Sequence, residues 1–121
     1  MTYIPYSEKN LIGGTFPFRM ETATIASGQG ELSKGSVLGR VTASGEYKLS
    51  AAAAEDGSQT PEAILGHDVD TTSGAVTGNI IVSGDILDGA LVFGEGHTVD
   101  TVAYPLRQNN IYLTKEVISN E

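Results

Sequence analysis

The sequence contains no cysteine and no tryptophan, and only 7% of its 121 residues are aromatic. The absence of cysteine excludes a disulfide framework and a thiolate metal site. Apolar residues make up 40% of the chain, yet the large side chains that usually fill a core are scarce. A chain of this length forms one domain. We expect its stability to be modest unless a partner surface adds to it.

Positive charge is also scarce, with seven Lys and Arg against fifteen Asp and Glu, which gives a formal net charge of -8. This charge repels phosphate backbones and anionic lipid headgroups, so neither nucleic acid nor a membrane surface is an expected partner. No apolar run approaches the roughly 18 residues of a membrane-spanning helix. The first ten residues lack the basic and then apolar order of a signal peptide. We therefore expect a soluble protein that is made in a cytosol.

Residues 1–19 differ in character from the rest of the chain. They contain two of the four prolines, the Gly13-Gly14 pair, and aromatic residues separated by polar ones. The prolines and the glycine pair interrupt the segment, so its apolar residues follow neither a helical nor a strand period. A solvated tail is usually poor in aromatics. We therefore interpret 1–19 as a flexible N-terminal arm that orders against a surface, rather than as a frayed terminus, and residues 20–121 as one folded domain.

The folded part is divided into short segments by glycine-rich turns, and the chain has fifteen glycines. SVLGRVT and YKLS are rich in strand formers and flank Ser44-Gly45, which is a hairpin signal. EAILGHDV and AVTGNIIVSG repeat the pattern around Thr72-Ser73-Gly74. Residues 51–54 are four alanines that would begin a short helix, but Asp56-Gly57 and Pro61 end it at once. The sequence predicts a small, mainly β domain of short strands, with at most one or two short helices.

The segment before the C-terminus combines helical and helix-breaking signals. Four apolar residues are spaced for one helical face: Val99, Val102, Ala103 and Leu106. Thr98 is placed to be the N-cap. Pro105 argues against a regular helix through that point, because proline removes a backbone hydrogen bond and clashes with the preceding turn. We expect a short helix or irregular turn, followed by Asn109-Asn110 and a final strand, IYLTKEV.

The sequence HDVDTTSG begins like a calcium loop, with Asp68 and Asp70 in a D-x-D arrangement. The remainder does not fit, since the glycine falls at the seventh place, Gly74, and Asn79 stands where a bidentate Glu is required. In an alternating strand His67 would also lie on the opposite face from the two carboxylates. We expect a strand end running into a turn and no metal site.

Signals for catalysis and for cofactor binding are equally weak. Neither histidine, His67 or His97, lies in a recognisable nucleophile elbow or an H-x-x-x-H spacing, and several serines sit in turns, where hydroxyls commonly bond local backbone groups. GQGELSKG resembles a phosphate-binding loop, but a β segment follows it where a helix is required. We expect no catalytic residue, no cofactor and no metal, so the protein is not expected to be an enzyme.

The order of several blocks resembles the head decoration proteins of tailed bacteriophages, the family typified by the lambda capsid-stabilising protein. The most specific blocks are GSVLGR and DGSQTPEAIL, followed by SGAVTGNIIVSG and LRQNNIYL, and the resemblance covers residues 22–113. In this reading DGSQTPEAIL is a turn served by Asp56 and Ser58 that leads into a core strand with Ile64 and Leu65 partly buried. Two features depart from the family pattern. Asn109-Asn110 stand where a helix-ending glycine would be natural, and Pro105 interrupts the segment before them.

The resemblance implies a β-clip type subunit that forms homotrimers on the outer surface of the mature capsid, at three-fold and quasi-three-fold sites. The partner would be the phage major capsid protein, and the role would be to stabilise the shell against the pressure of the packed genome. The protein would be made in the host cytoplasm and located in the virion. The family's arm orders on the capsid by adding to one of its sheets. The resemblance therefore assigns five candidate anchors on this chain: Tyr3, Ile4, Tyr6, Phe16 and Phe18.

Two other functions stay open on the sequence. A surface or tail-fibre module that binds a receptor would present aromatics on loops of the folded part, whereas four of this chain's aromatics cluster in the arm. A small nucleotide hydrolase acting at a trimer interface would need basic residues beside glycine loops to bind phosphate. The cations Arg40, Lys48 and Arg107 are not in such a setting.

Overall fold

The computed structural model describes residues 18–115, which form a mainly β domain and confirm the predicted fold class. Its eight strands are β1 (Arg19–Ile25), β2 (Glu31–Leu32), β3 (Val37–Arg40), β4 (Tyr47–Leu49), β5 (Pro61–Leu65), β6 (Val69–Asp70), β7 (Val76–Leu87) and β8 (Ile111–Thr114). The helix α1 spans Val99–Gln108, and a short 3-10 helix spans Asp88–Ala90. Strand β1 begins at Arg19, one residue before the boundary predicted for the arm.

Five strands close on themselves as a small barrel. Strand β3 pairs antiparallel with β4 and β5, and β5 pairs antiparallel with β7. Strand β1 then joins the two ends, because it pairs antiparallel with β7 and meets β4 in parallel through Ile25 and Tyr47. Beyond the barrel, β7 continues and its residues 84–87 pair in parallel with β8. The short strands β2 and β6 form a separate ribbon.

Consecutive buried residues on the central strands supply two cores, because successive side chains of a strand point to opposite faces. The pairs Val37-Leu38, Ile64-Leu65 and Ile80-Ile81 each give one residue to either side. We call the cluster inside the barrel the inner core: Ile25, Leu32, Leu38, Ala63, Leu65 and Ile80. The outer core lies between the barrel, α1 and β8: Val37, Ile64, Ile81, Ile86, Val102, Leu106 and Ile111. Ile64 and Leu65 are fully buried, so the prediction of partial burial was wrong.

The predicted short helix is confirmed as α1, but it is continuous through Pro105, so the expectation that proline would interrupt it was wrong. The physical reason is tertiary packing. Val102 and Leu106 lie on one face and are fully buried in the outer core. Burying two such side chains offsets the roughly 3 kcal/mol that an interior proline costs. Thr98 is the N-cap, as predicted, and its N–H donates to Thr101 Oγ1 at 2.8 Å.

The turn after α1 explains why asparagine replaces the helix-ending glycine. Asn110 has φ of 69°, in the left-handed region that asparagine tolerates better than most residues. Its N–H donates to the Arg107 carbonyl at 3.1 Å, and its carbonyl accepts the N–H of Gly84 at 3.1 Å. This reversal sets the chain beside β7, and β8 follows as the first four residues of the predicted final strand.

The predicted hairpin at Ser44-Gly45 is confirmed, because β3 and β4 are antiparallel neighbours across it. The N–H of Val41 donates to the Glu46 carbonyl at 2.8 Å. Gly45 has φ of 79°, the conformation for which glycine is favoured in such a turn. The four alanines of 51–54 form a loop with one turn-type hydrogen bond, from the N–H of Ala54 to the Ala51 carbonyl at 3.1 Å.

Candidate functional site

The root of the predicted arm is fixed to the barrel at Phe18. Its side chain is half-buried and packs against the outer core. It lies beside Gly84 of β7, where a β-carbon would stand 3.2 Å from Phe18 Cδ1. Arg19 then pairs with Ser83 as the first residue of β1. The other four candidate anchors lie outside the described residues: Tyr3, Ile4, Tyr6 and Phe16.

Strands β1 and β7 together present an exposed, uncharged surface on the outside of the barrel. Thr22 pairs with Asn79, and Thr24 pairs with Thr77. Met20 lies at the end of this surface and is 39% exposed. All five side chains are exposed, whereas the alternating residues Ala23, Ile25 and Ile80 belong to the inner core or pack against it. We call this surface the threonine face: Met20, Thr22, Thr24, Thr77 and Asn79.

The threonine face was not predicted from the sequence. The signal available was the alternation of threonine with apolar residues in TATI, which marks a strand with one solvated side. What the sequence did not show was which strand lies beside β1. β1 pairs with β7, whose residues lie more than 50 positions away, and a long-range pairing of this kind cannot be read from local pattern.

His67 completes the hydrogen bonding of β7 beyond the end of β5. Its Nε2 accepts the N–H of Asn79 at 3.0 Å, and its Nδ1 lies 3.1 Å from the Asp68 carbonyl. Since a carbonyl can only accept, Nδ1 carries the proton and Nε2 is the acceptor. The neutral imidazole therefore takes the place of a neighbouring strand, and we interpret His67 as a structural residue.

The two aspartates of the D-x-D sequence accept backbone hydrogen bonds at the predicted strand end. Asp68 Oδ1 accepts the N–H of Lys34 at 2.7 Å. Asp70 Oδ1 accepts the N–H of Thr72 at 2.9 Å, and the hydrogen bonds of Thr72 lower the pKa of Asp70. Within residues 18–115, no three His, Asp or Glu side chains are grouped so that they could hold a metal ion.

The glycine loop at residues 28–30 directs its backbone donors inward, toward a buried threonine. The N–H of Gly28 donates to the Thr71 carbonyl and the N–H of Gln29 donates to Thr71 Oγ1, both at 2.9 Å. Thr71 in turn donates its own N–H to the Gly30 carbonyl at 2.7 Å. A phosphate cradle needs these N–H groups to face the ligand. These two N–H groups are therefore bonded to Thr71, which directly follows β6, and the loop does not bind phosphate through them.

The loop at residues 55–60 is stabilised by Asp56, which serves the turn together with Ser58 as predicted. Asp56 Oδ1 accepts the Ser58 hydroxyl at 2.6 Å and the Ser58 N–H at 3.0 Å. Asp56 Oδ2 lies 3.0 Å from the ammonium group of Lys48. The hydrogen bonds from Ser58, with a further contribution from Lys48, hold the pKa of Asp56 well below its usual range. This carboxylate remains ionised and is unsuited to general acid or base chemistry near neutral pH.

A serine and a histidine meet in the folded domain, but their hydrogen bonds exclude a nucleophilic pair. Ser50 Oγ lies 3.2 Å from His97 Nε2, yet the Ser50 hydroxyl donates to the Ser58 carbonyl at 2.7 Å. His97 Nε2 also faces the Gln59 carbonyl at 3.1 Å, so it carries a proton and cannot accept one from the serine. Ser50 is fully buried. The pair therefore joins the loop at residues 55–60 to α1, whose Thr101 bonds His97 Nδ1 at 2.9 Å.

A shallow cleft of about 250 Å³ lies along the β2–β6 ribbon. Its lining includes three carboxylates and one leucine: Glu31, Asp68, Asp70 and Leu32. Two of the carboxylates are already bonded to backbone N–H groups, as described above.

Among the residues that the structure describes, no helix is long and apolar enough to cross a membrane.

Comparison with known proteins identifies the family. Residues 8–109 match the model of the family described as bacteriophage lambda head decoration protein D. The match begins within the predicted arm and continues through the barrel and α1. No curated protein is significantly similar to the chain. Because the family model covers most of the sequence, the chain belongs to the bacteriophage lambda head decoration protein D family.

Proposed function

We propose that the protein binds as a homotrimer to the outer surface of the mature phage head, at three-fold and quasi-three-fold sites, and stabilises the shell against genome pressure. The observation that carries this proposal is the family match over residues 8–109, which includes more than half of the predicted arm as well as the barrel. The family is a structural one and its members decorate the phage head. The proposed partner is the major capsid protein, and no catalytic role is proposed.

The arm is the proposed capsid-binding element. An extended segment can add a strand to the exposed edge of another protein's sheet, where backbone hydrogen bonds give affinity and alternate side chains fill pockets. The proposed anchors are Tyr3, Ile4, Tyr6, Phe16 and Phe18. The position of Phe18 against the outer core supports a role at the root of the arm, where it would transmit load from the capsid to the barrel.

Weak individual arms are sufficient for this mechanism. Each arm loses conformational entropy when it orders on the capsid, so one arm alone binds modestly. Three arms on one trimer make the second and third contacts intramolecular. This can raise the apparent affinity by about 100-fold or more when the geometry allows all three arms to bind.

The fold supports a mechanical role. Strand β1 continues directly from the arm and is paired along its length with β7, the longest strand. Strand β7 in turn contacts both cores through Ile80 and Ile81. A force applied to the arm is therefore distributed over a closed barrel rather than over one loop.

Stabilisation is tested on genome-filled heads that lack decoration protein. The heads are heated with and without added protein, and release of DNA is followed with a dye that cannot enter the shell. We expect the full-length protein to raise the release temperature and a variant lacking residues 1–17 to leave it unchanged. Binding without any change in the release temperature would contradict the stabilising role. Failure to bind heads that accept another decoration protein would favour the receptor-binding alternative.

A further inference from the structure

We infer that the threonine face is a surface through which one copy of this chain contacts a second copy. The inference rests on the proposed function, because it assigns a surface to the trimer proposed above. It starts from a contrast in charge. The chain carries a net charge of -8, yet none of the five side chains of the threonine face is charged.

The two charged residues of β1 do not belong to this face. On β1, Arg19 and Glu21 form an exposed ion pair at 3.3 Å. Glu21 alternates in register with Ala23 and Ile25, so it lies on the opposite side of the strand from Thr22. On β7, residues 76–83 contain no charged side chain, and all of them except Val82 pair with β1. The face is therefore uncharged over the whole length of the β1–β7 pairing.

Electrostatics then distinguishes a second copy from other occupants. Every copy carries the same excess of acidic residues, so a contact between copies avoids like-charge repulsion where those carboxylates are absent. Burying an unpaired carboxylate at a contact would add a desolvation penalty. The capsid is under no such constraint, because its charge is independent of this chain. An uncharged face on a strongly acidic chain is thus better matched to another copy than to an unrelated surface.

The chemistry of the face suits such a contact. Met20 contributes exposed apolar area, and its Cε lies over Gly66 at the end of β5. The threonines add methyl groups, and their hydroxyls make no hydrogen bond to another residue within 18–115. In a cyclic trimer each contact joins two different patches, so the surface that meets this face on the next copy must also lack acidic residues at its centre. The face adjoins Phe18, so contacts here would bring the three arms out beside the interface.

The first test places a charge of either sign on the face. Thr22→Glu and Thr22→Lys are compared with Ser73→Glu and Ser73→Lys, which lie in an exposed turn before β7. Assembly is measured by analytical ultracentrifugation over a range of protein concentrations, after circular dichroism has established folding. Both charges at position 22 should raise the concentration for half-assembly by about 10-fold or more, because either one is left unpaired in the contact. At position 73 the two signs should have small and opposite effects. Equal behaviour at the two positions would overturn the inference.

A second test uses the absence of cysteine, which makes any introduced thiol the only one in the chain. Thr24→Cys and Ser73→Cys are alkylated in dilute monomer, in free trimer and on capsids. Slower alkylation of position 24 in the free trimer, with no change at position 73, supports the inference. Protection only on capsids, or no protection, overturns it. If the parent binds capsids as a trimer while these results are negative, only the inference fails. If the parent neither assembles nor binds, the proposed function fails as well.

Discussion

The carbonyl oxygen of Ser58 occupies the space that a β-carbon on Gly39 would need. The loop at residues 55–60 therefore packs directly on the backbone of β3. Gly39→Ala should lower the free energy of unfolding by about 1–3 kcal/mol, because either the loop or the strand must move. Gly74→Ala is the matched control, since a β-carbon there meets nothing within 4 Å. It should change stability by less than about 0.5 kcal/mol. Equal urea midpoints for the two variants would contradict this packing.

The left-handed conformation of Asn110 gives a second stability prediction. With φ of 69°, this position penalises a side chain that cannot tolerate the region. Asn110→Ala should lower the free energy of unfolding by about 1 kcal/mol, while Asn110→Gly should leave it nearly unchanged. The measurement is urea unfolding followed by circular dichroism. A fully stable Asn110→Ala variant would mean that the turn into β8 has another conformation.

The carboxylate of Asp56 predicts a specific loss of stability in acid. Its pKa is lowered in the folded state, chiefly by the hydrogen bonds of Ser58. The stabilisation from the ionised form is therefore fully present above the usual carboxyl pKa of about 3.9. It is lost as the pH falls through the lower folded-state value. Asp56→Asn should be less stable than the parent near neutral pH and should lose less stability on acidification.

The control for this prediction is Glu55→Gln, which removes one charge from the neighbouring exposed position. Urea midpoints are compared at neutral pH and at a pH below the usual carboxyl range. The parent and Glu55→Gln should show similar acid slopes, and Asp56→Asn a smaller one. An unchanged slope in Asp56→Asn would show that the hydrogen bonds to Ser58 do not couple ionisation to folding.

Much of the fold was predictable because its signals are local. Ser44-Gly45 marked the β3–β4 hairpin, and Thr98 marked the start of α1. The error at Pro105 has a physical cause, since local propensity was outweighed by the burial of Val102 and Leu106 against strands distant in sequence. The closure of the barrel by β1 and β7 was not predictable for the same reason. Its pairing is long-range, and no local turn specifies it.

Some features of the candidate site were likewise predictable from the sequence, and others were not. The sequence correctly indicated that a strand ends at Asp70 and runs into a turn, because polar residues and glycine follow it there. It could not indicate that Asp68 bonds the N–H of Lys34, because 34 positions separate the two residues. It gave no indication that Ser50 and His97 lie in contact, because 47 positions separate them. The anchors proposed for the arm rest on the family resemblance, and Phe18 is the one whose packing the structure describes.

Deletion of residues 1–17 should separate folding from capsid binding. Both cores lie within residues 18–115, so the deleted protein should keep the unfolding midpoint of the parent. It should lose detectable binding to capsids. Two point variants provide a sharper comparison. Phe16→Ala should weaken binding without changing stability, whereas Phe18→Ala should lower stability because Phe18 packs on the outer core. A deleted protein that binds as well as the parent would contradict the proposed role of the arm.

Salt should favour assembly of the trimer. Three copies carry a formal charge of 3 × (-8) = -24. Screening becomes strong above about 0.1 M salt, where the Debye length falls below about 10 Å. The concentration for half-assembly should therefore decrease as sodium chloride is raised, as measured by sedimentation velocity. Weaker assembly at high salt would indicate ion pairs between copies and would conflict with an uncharged interface.

The most direct test of the account is co-sedimentation of the purified protein with expanded, undecorated capsids of the matching phage, followed to saturation. The account predicts saturable binding at three copies for each three-fold and quasi-three-fold site. No binding to a shell that accepts another decoration protein would contradict it.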